Sequence, residues 1–262
     1  MKMKTKRLNN IFRKTGRTLI VAMDHGSGMN VLPELANPAE KIERVVAGGA
    51  DVIMTTFGIA SKFADSIGSA GLVLRVDGGY SQMAQNSNPI RRIYSVEDAL
   101  RLGADGVVCM GFPGSKFEAE TLPYLSELAS DCYKWGMPLM AEMLPRGFEG
   151  GEDSRTPESI ALACRMGVEL GADFIKTDFT GDIESFKSVV AGTFAPIVVL
   201  GGGKAKDPIA LLQQVYESVQ AGGRGVAMGR NVWRQPEPEK ITRAIARILH
   251  EDATVEEAKK EL

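Results

Sequence analysis

The chain has 262 residues, of which 44% are hydrophobic and 24% charged, and Lys+Arg 31 against Asp+Glu 33 leaves a formal net charge of -2. That balance, with aromatics at only 6%, argues against a nucleic-acid partner and against a platform for stacking bases. A chain this long buries roughly 70–75% of its unfolded surface, so it needs neither disulfide nor metal for stability.

The first seventeen residues carry seven basic and no acidic side chains. They lack the apolar core of a secretory signal and run straight into a strand-like segment, which predicts a short basic N-terminal helix. Apolar runs follow at residues 18–25, 51–57, 71–77, 106–112, 138–144, 173–179, 196–202 and 225–232. Each is bounded by Gly, Pro or Asp and reads as a strand buried on both faces. Helical segments alternate with them at 38–48, 58–67, 95–102, 117–135, 157–170, 182–191, 208–221 and 238–250. Several open on an N-cap followed by Pro, as in Asn37-Pro38, Thr156-Pro157 and Asp207-Pro208. One closing device recurs: Gly48-Gly49-Ala50-Asp51, Gly103-Ala104-Asp105 and Gly171-Ala172-Asp173 each end a helix and begin a strand. Gly222-Gly223-Arg224-Gly225 does the same near the end. The run 256–262 reads as a solvated helical tail.

Eight strand–helix units in one continuous chain predict an α/β fold, a (β/α)8 TIM barrel forming a single domain over 1–262. An open doubly wound sheet would require a GxGxxG turn after its first strand, and Asp24-His25-Gly26-Ser27-Gly28 lacks that spacing. No apolar run approaches the ~18 residues of a membrane span, so no membrane partner is expected. Cys109, Cys132 and Cys164 are widely spaced, with no CxxC pair, and read as buried thiols of a cytoplasmic protein. His25 and His250 are the only histidines, which argues against a zinc site built on imidazoles; no metal is expected.

Barrel chemistry gathers at the carboxyl ends of the strands. There the sequence places Asp24 and His25, Arg75 and Asp77, Glu142 and Arg146, Lys176 and Asp178, Lys204 and Lys206, and Arg230 and Asn231. Lys176 stands out, because Phe174-Ile175-Lys176-Thr177-Asp178 sets it in a buried strand. Such a lysine either pairs with a carboxylate (Asp24, Glu142 or Asp178) or serves as a Schiff-base nucleophile. The period of two projects Lys176 and Asp178 to one side. Gly201-Gly202-Gly203-Lys204 and Gly229-Arg230 bring backbone N–H groups and cations to the seventh and eighth strand ends, where barrels bind phosphate. Asp24 is either an acid/base or a loop cap, and His25 either catalytic or merely satisfied. Arg75 and Asp77 could form a structural pair at the mouth.

Five ordered motifs carry a family resemblance: Met23-Asp24-His25-Gly26, Leu144-Pro145-Arg146-Gly147, Ile175-Lys176-Thr177-Asp178-Phe179-Thr180-Gly181-Asp182, Gly201-Gly202-Gly203-Lys204 and Gly229-Arg230-Asn231-Val232-Trp233. From Arg7 to the C-terminus the chain resembles the archaeal-type class I fructose-bisphosphate aldolases. That broad family includes 2-amino-3,7-dideoxy-D-threo-hept-6-ulosonate synthase and the thiolase of phosphorylated autoinducer-2. The resemblance implies a Schiff base on Lys176, with Asp24 positioning substrate hydroxyls. It also implies phosphate held by Gly202, Gly203, Lys204, Gly229 and Arg230, with Arg146 in the fifth-strand motif, and no cofactor, since the protonated imine is the electron sink. It further suggests a homo-oligomer.

One position departs from that pattern. The fructose-bisphosphate aldolases and heptulosonate synthases carry a proton-transferring Tyr where this chain has Leu144. Glu142 shares that strand face, and His25 and Asp24 are the other titrating candidates. Burial beside Met140 and Leu144 raises the Glu142 pKa while Lys176 lowers it, so geometry decides the balance. The leading expectation is a Schiff-base lyase acting on a phosphorylated ketose. The alternatives are a transferase with the same chemistry, as in transaldolases or the thiolase, and a non-catalytic sugar-phosphate binder.

Overall fold

Alternation along each apolar run decides which side chains face inward and which meet the helices. In a computed structural model, which describes residues 4–27, 32–79, 81, 90–202 and 207–262, eight parallel strands close into a barrel. They are β1 (Thr18–Ala22), β2 (Val52–Thr55), β3 (Gly71–Arg75), β4 (Gly106–Gly111), β5 (Leu139–Met143), β6 (Phe174–Thr177), β7 (Ile197–Leu200) and β8 (Gly225–Met228). Each pairs with its successor, and β8 returns to β1. Ile20, Val52, Val73, Val108, Met140, Phe174, Val198 and Ala227 fill the interior. Their sequence neighbours Leu19, Ile53, Leu72, Val107, Leu139, Ile175, Val199 and Val226 face the surrounding helices. Both faces are therefore buried, which is why the runs are continuously apolar rather than alternating with polar residues.

The basic N-terminal segment forms α1 (Thr5–Ile11), and its last residue, Ile11, joins the barrel interior from the amino ends of the strands. The recurring aspartates hold this plug. Asp51, Asp105 and Asp173 each accept a backbone N–H from the start of the preceding strand, at Leu19, Leu72 and Leu139 respectively. Each also binds the N-terminal segment: Arg13 donates to Asp51 at 2.8 Å, Asn10 to Asp105 at 2.7 Å and Lys4 to Asp173 at 2.7 Å. The glycines before them, Gly49, Gly103 and Gly171, have positive φ, the left-handed conformation that ends a helix before a strand.

The outer ring contains α2 (Pro38–Ala47), α5 (Val96–Arg101), α6 (Glu118–Trp135), α7 (Pro157–Glu169), α8 (Ile183–Gly192), α9 (Pro208–Gln220) and α11 (Pro238–Glu251). Thr156, Asp182 and Asp207 cap α7, α8 and α9 through their side chains. Four expectations change. The segment 58–67 divides into α3 (Phe57–Lys62) and α4 (Ala64–Ile67), because Phe63 leaves helical geometry. The third run ends at Arg75, and Asp77–Gly78 instead pairs antiparallel with Arg91–Arg92. The last run ends at Met228, and Arg230–Trp233 forms a short helix, α10, whose Val232 and Trp233 N–H groups donate to the Gly229 carbonyl. The C-terminal tail docks through α12 (Val255–Ala258): Ala258 is fully buried, and Arg247 of α11 pairs with Glu261.

Candidate active site

Chemistry enters the barrel one inward position beyond its apolar layers. Two residues past Ala22, Val73, Met140 and Phe174 stand Asp24, Arg75, Glu142 and Lys176. The strand period of two brings all four to one end of the barrel, where they line a cavity of about 830 Å³. Glu142 and Lys176 are register partners on β5 and β6, and Lys176 Nζ lies 2.7 Å from Glu142 Oε1.

Arg75 joins the remaining groups. Its guanidinium donates to Asp24 and Glu142 in short contacts and to Asp77 at 2.9 Å. The second oxygen of Asp77 accepts the Met110 N–H at 2.7 Å and the Tyr124 hydroxyl at 2.8 Å. Arg75 and Asp77 are therefore a buried pair at the mouth, within a network that also reaches Asp24 and Glu142. A guanidinium this deep is tolerated because carboxylates surround it.

These contacts decide the ionisation. Burial opposes charge on Asp24, but Arg75, His25 and Lys176 together outweigh it and hold its carboxyl at about 2. At Glu142 burial again pushes the pKa up, and Lys176 and Arg75 pull it further down. The balance left open by the sequence thus resolves downward, and Glu142 rests as a carboxylate. Burial lowers the pKa of His25, Asp24 opposes this, and Lys176 and Arg230 add to the lowering. The His25 ring packs edge-on against Trp233 at 5.6 Å, and its Nδ1 stands 3.6 Å from Asp24 Oδ1, beyond hydrogen-bonding range. A Cβ at position 229 would meet this ring at 2.4 Å, so Gly229 is required for His25 to sit there.

Gly201, Gly202, Gly229, Arg230 and Asn231, beyond the ends of β7 and β8, also line the cavity, and Asn231 Nδ2 donates to the Gly201 carbonyl at 2.8 Å. Gly203 and Lys204 lie outside the described residues. Arg146 is exposed and is not among the residues lining the cavity. Arg155 lines it instead, donating to the carbonyls of Pro145 at 2.9 Å and Gly147 at 2.8 Å. Sequence patterning did not flag Arg155, nor the lining pair Glu34–Arg234, because these lie outside the strands, where no strand period applies. Leu144 packs with Ile90, Met110 and Phe112 as an apolar wall. Among the described residues no cluster of three or more His, Cys, Asp or Glu is arranged to hold a metal ion, and no helix is long and apolar enough to cross a membrane.

Residues 18–235, from the first strand past the last, match the family described as DeoC/LacD family aldolase. The chain belongs to this family. Curated relatives agree with the assignment. This DeoC/LacD-family aldolase is 35% identical to a 2-amino-3,7-dideoxy-D-threo-hept-6-ulosonate synthase of Halobacterium salinarum, over 97% of the chain and 94% of the relative. It is 33% identical to a class 1 fructose-bisphosphate aldolase of Thermoproteus tenax, over 94% of each. A solved Schiff-base-forming fructose-1,6-bisphosphate aldolase superposes with a TM-score of 0.85 at 32% identity, covering 94% of this chain and 100% of that one. The aldolase family and barrel fold expected from the motifs are thus both found.

Proposed function

We propose that this aldolase is a class I lyase that makes or breaks a C–C bond in a phosphorylated ketose through an imine on Lys176. The observation that carries this reading is the Lys176–Glu142 contact: a nearly buried amine, facing the cavity, with a carboxylate 2.7 Å away. Attack on a ketone needs the neutral amine, and Glu142 is placed to take the ammonium proton. Ketone and ammonium then yield a protonated imine and one water. Cleavage of the bond beyond the adjacent carbon sends its electron pair into the iminium, leaving an enamine, while the hydroxyl-bearing carbon becomes an aldehyde and its hydroxyl proton passes to solvent. Asp24, ionised throughout the neutral range, receives substrate hydroxyls as a hydrogen-bond acceptor, and neutral His25 adjoins it. Gly202, Gly229 and Arg230, which line the cavity, hold the phosphate. The same reading carries a cytoplasmic, homo-oligomeric enzyme with a single domain over 1–262, independent of metal.

Borohydride trapping with a panel of phosphorylated ketoses tests the proposal. A covalent adduct localised to Lys176 by peptide mass spectrometry, and absent from Lys176→Met, is expected. Trapping that persists in Lys176→Met removes the assignment, and no adduct with any ketose favours a sugar-phosphate binder. Leu144, in place of the family tyrosine, motivates the binder reading, and the 35% identity to the heptulosonate synthase motivates the transferase reading. Turnover that requires a second, acceptor substrate would select it.

A further inference from the structure

An imine mechanism needs a group that moves a proton to and from the carbon next to the imine. The carboxylates already described are poorly suited to that work. Asp24 and Glu142 are held by Arg75, Glu142 also by Lys176, and Asp77 by Arg75, Tyr124 and the Met110 N–H. Asp24 and Asp77 are tied to their charged forms by donors that protonation would leave unsatisfied, and Glu142 is engaged with the proton of Lys176.

Asp178 differs. It lies two residues beyond Lys176 on the same side of the chain and lines the same cavity. Glu142 and Lys176 are register partners, and continuing that register just past the ends of β5 and β6 sets Asp178 opposite Leu144. Leu144 has no proton to give. Among the described residues no hydrogen bond reaches the Asp178 carboxyl; its buried Oδ2 is ion-paired with Arg155 Nε at 3.3 Å, outside hydrogen-bonding geometry. Its side chain nevertheless stays 23% exposed, enough for a substrate to reach.

We infer that Asp178 is the proton-transfer residue of this active site, acting on the substrate carbon adjacent to the Lys176 imine. The inference rests on the imine reading proposed above. As a carboxylate, Asp178 takes the proton from that carbon; the C–H electron pair becomes the enamine double bond, and the C=N pair returns to nitrogen. In reverse, the protonated acid delivers the same proton to the enamine carbon and the iminium reforms. Burial raises the Asp178 pKa despite Arg155, in the direction such shuttling requires.

The test uses dihydroxyacetone phosphate, the smallest phosphorylated ketose, with the full-length enzyme in heavy water. NMR reads deuterium exchange at the carbon next to the imine, and borohydride trapping reads the adduct separately. Asp178→Asn is expected to keep the adduct while exchange slows by ~10²–10⁴-fold, and Asp178→Glu to recover part of that loss. Exchange near the parent rate in Asp178→Asn overturns the proposal alone. Equal loss of adduct and exchange in both variants makes Asp178 a structural partner of Arg155 and overturns it too. A parent enzyme that forms no adduct and catalyses no exchange removes the imine reading and this inference with it.

Discussion

Glu142 occupies two roles that a single substitution can separate. It is the nearest carboxylate to Lys176 and also neutralises Arg75. Glu142→Gln keeps the shape but leaves Lys176 without an acceptor for its proton. Imine formation is therefore expected to slow by about 10²–10⁴-fold, with the adduct still trappable after long incubation. Single-turnover trapping rates check this. A parent-like rate would reduce Glu142 to a charge partner and pass the proton of Lys176 to Asp24 or His25.

At the scale of elements, two parts of the barrel do separate work. The carboxyl-terminal side carries the turns proposed to hold phosphate, where α10 begins at Arg230 directly after Gly229. Arg230→Ala should weaken a phosphorylated ketose by roughly 1.5–3 kcal/mol, the contribution of a charge-assisted contact. An unphosphorylated analogue should be almost unaffected, and equal losses measured by calorimetry would show that phosphate binds elsewhere. The amino-terminal side carries stability. Asp173 bonds both the Leu139 N–H and Lys4, whose side chain is only 10% exposed. Asp173→Ala leaves a nearly buried ammonium and a strand N–H unpaired. A loss of about 3 kcal/mol is expected in urea unfolding, with imine formation unchanged in the folded fraction.

For the whole molecule, the buried ionisable groups set the response to acid. Asp24 and Glu142 have folded pKa values below their unfolded ones, so their stabilisation is complete above the ordinary carboxylate range and is lost as pH falls. For Asp24, moving from 3.8 to about 2, this is on the order of 2 kcal/mol, lost between roughly pH 5 and 2. His25 acts in the same sense at higher pH: the unfolded chain takes up a proton near 6.5 before the folded one does. Asp178 has the opposite sign, contributing at low pH and losing its contribution as pH rises through its folded pKa. The sum predicts a urea midpoint that falls from about pH 6 to pH 2. His25→Asn should flatten the upper part of that profile and Asp24→Asn the lower part. An unchanged profile in both variants would place the acid sensitivity elsewhere.

Local chemistry was enough to establish the barrel and to bring Asp24, Arg75, Glu142 and Lys176 to one end of it. Strand and helix periods are short-range properties, and the Gly-Ala-Asp device marks each boundary through backbone conformation alone. Because inward positions recur every second residue, Asp24, Arg75, Glu142 and Lys176 could be placed at one end before any contact was known. The sequence could not decide which of them touch. That Arg75 reaches three carboxylates, and that Glu142 faces Lys176 across adjacent strands, depends on barrel closure and register. The direction of the Glu142 pKa followed only from those distances. Arg155 and the end of the eighth strand were hidden for a related reason. Arg155 is fixed by its bonds to the Pro145 and Gly147 carbonyls, and the Gly229 turn packs against His25, distant in sequence and brought there only by the tertiary structure.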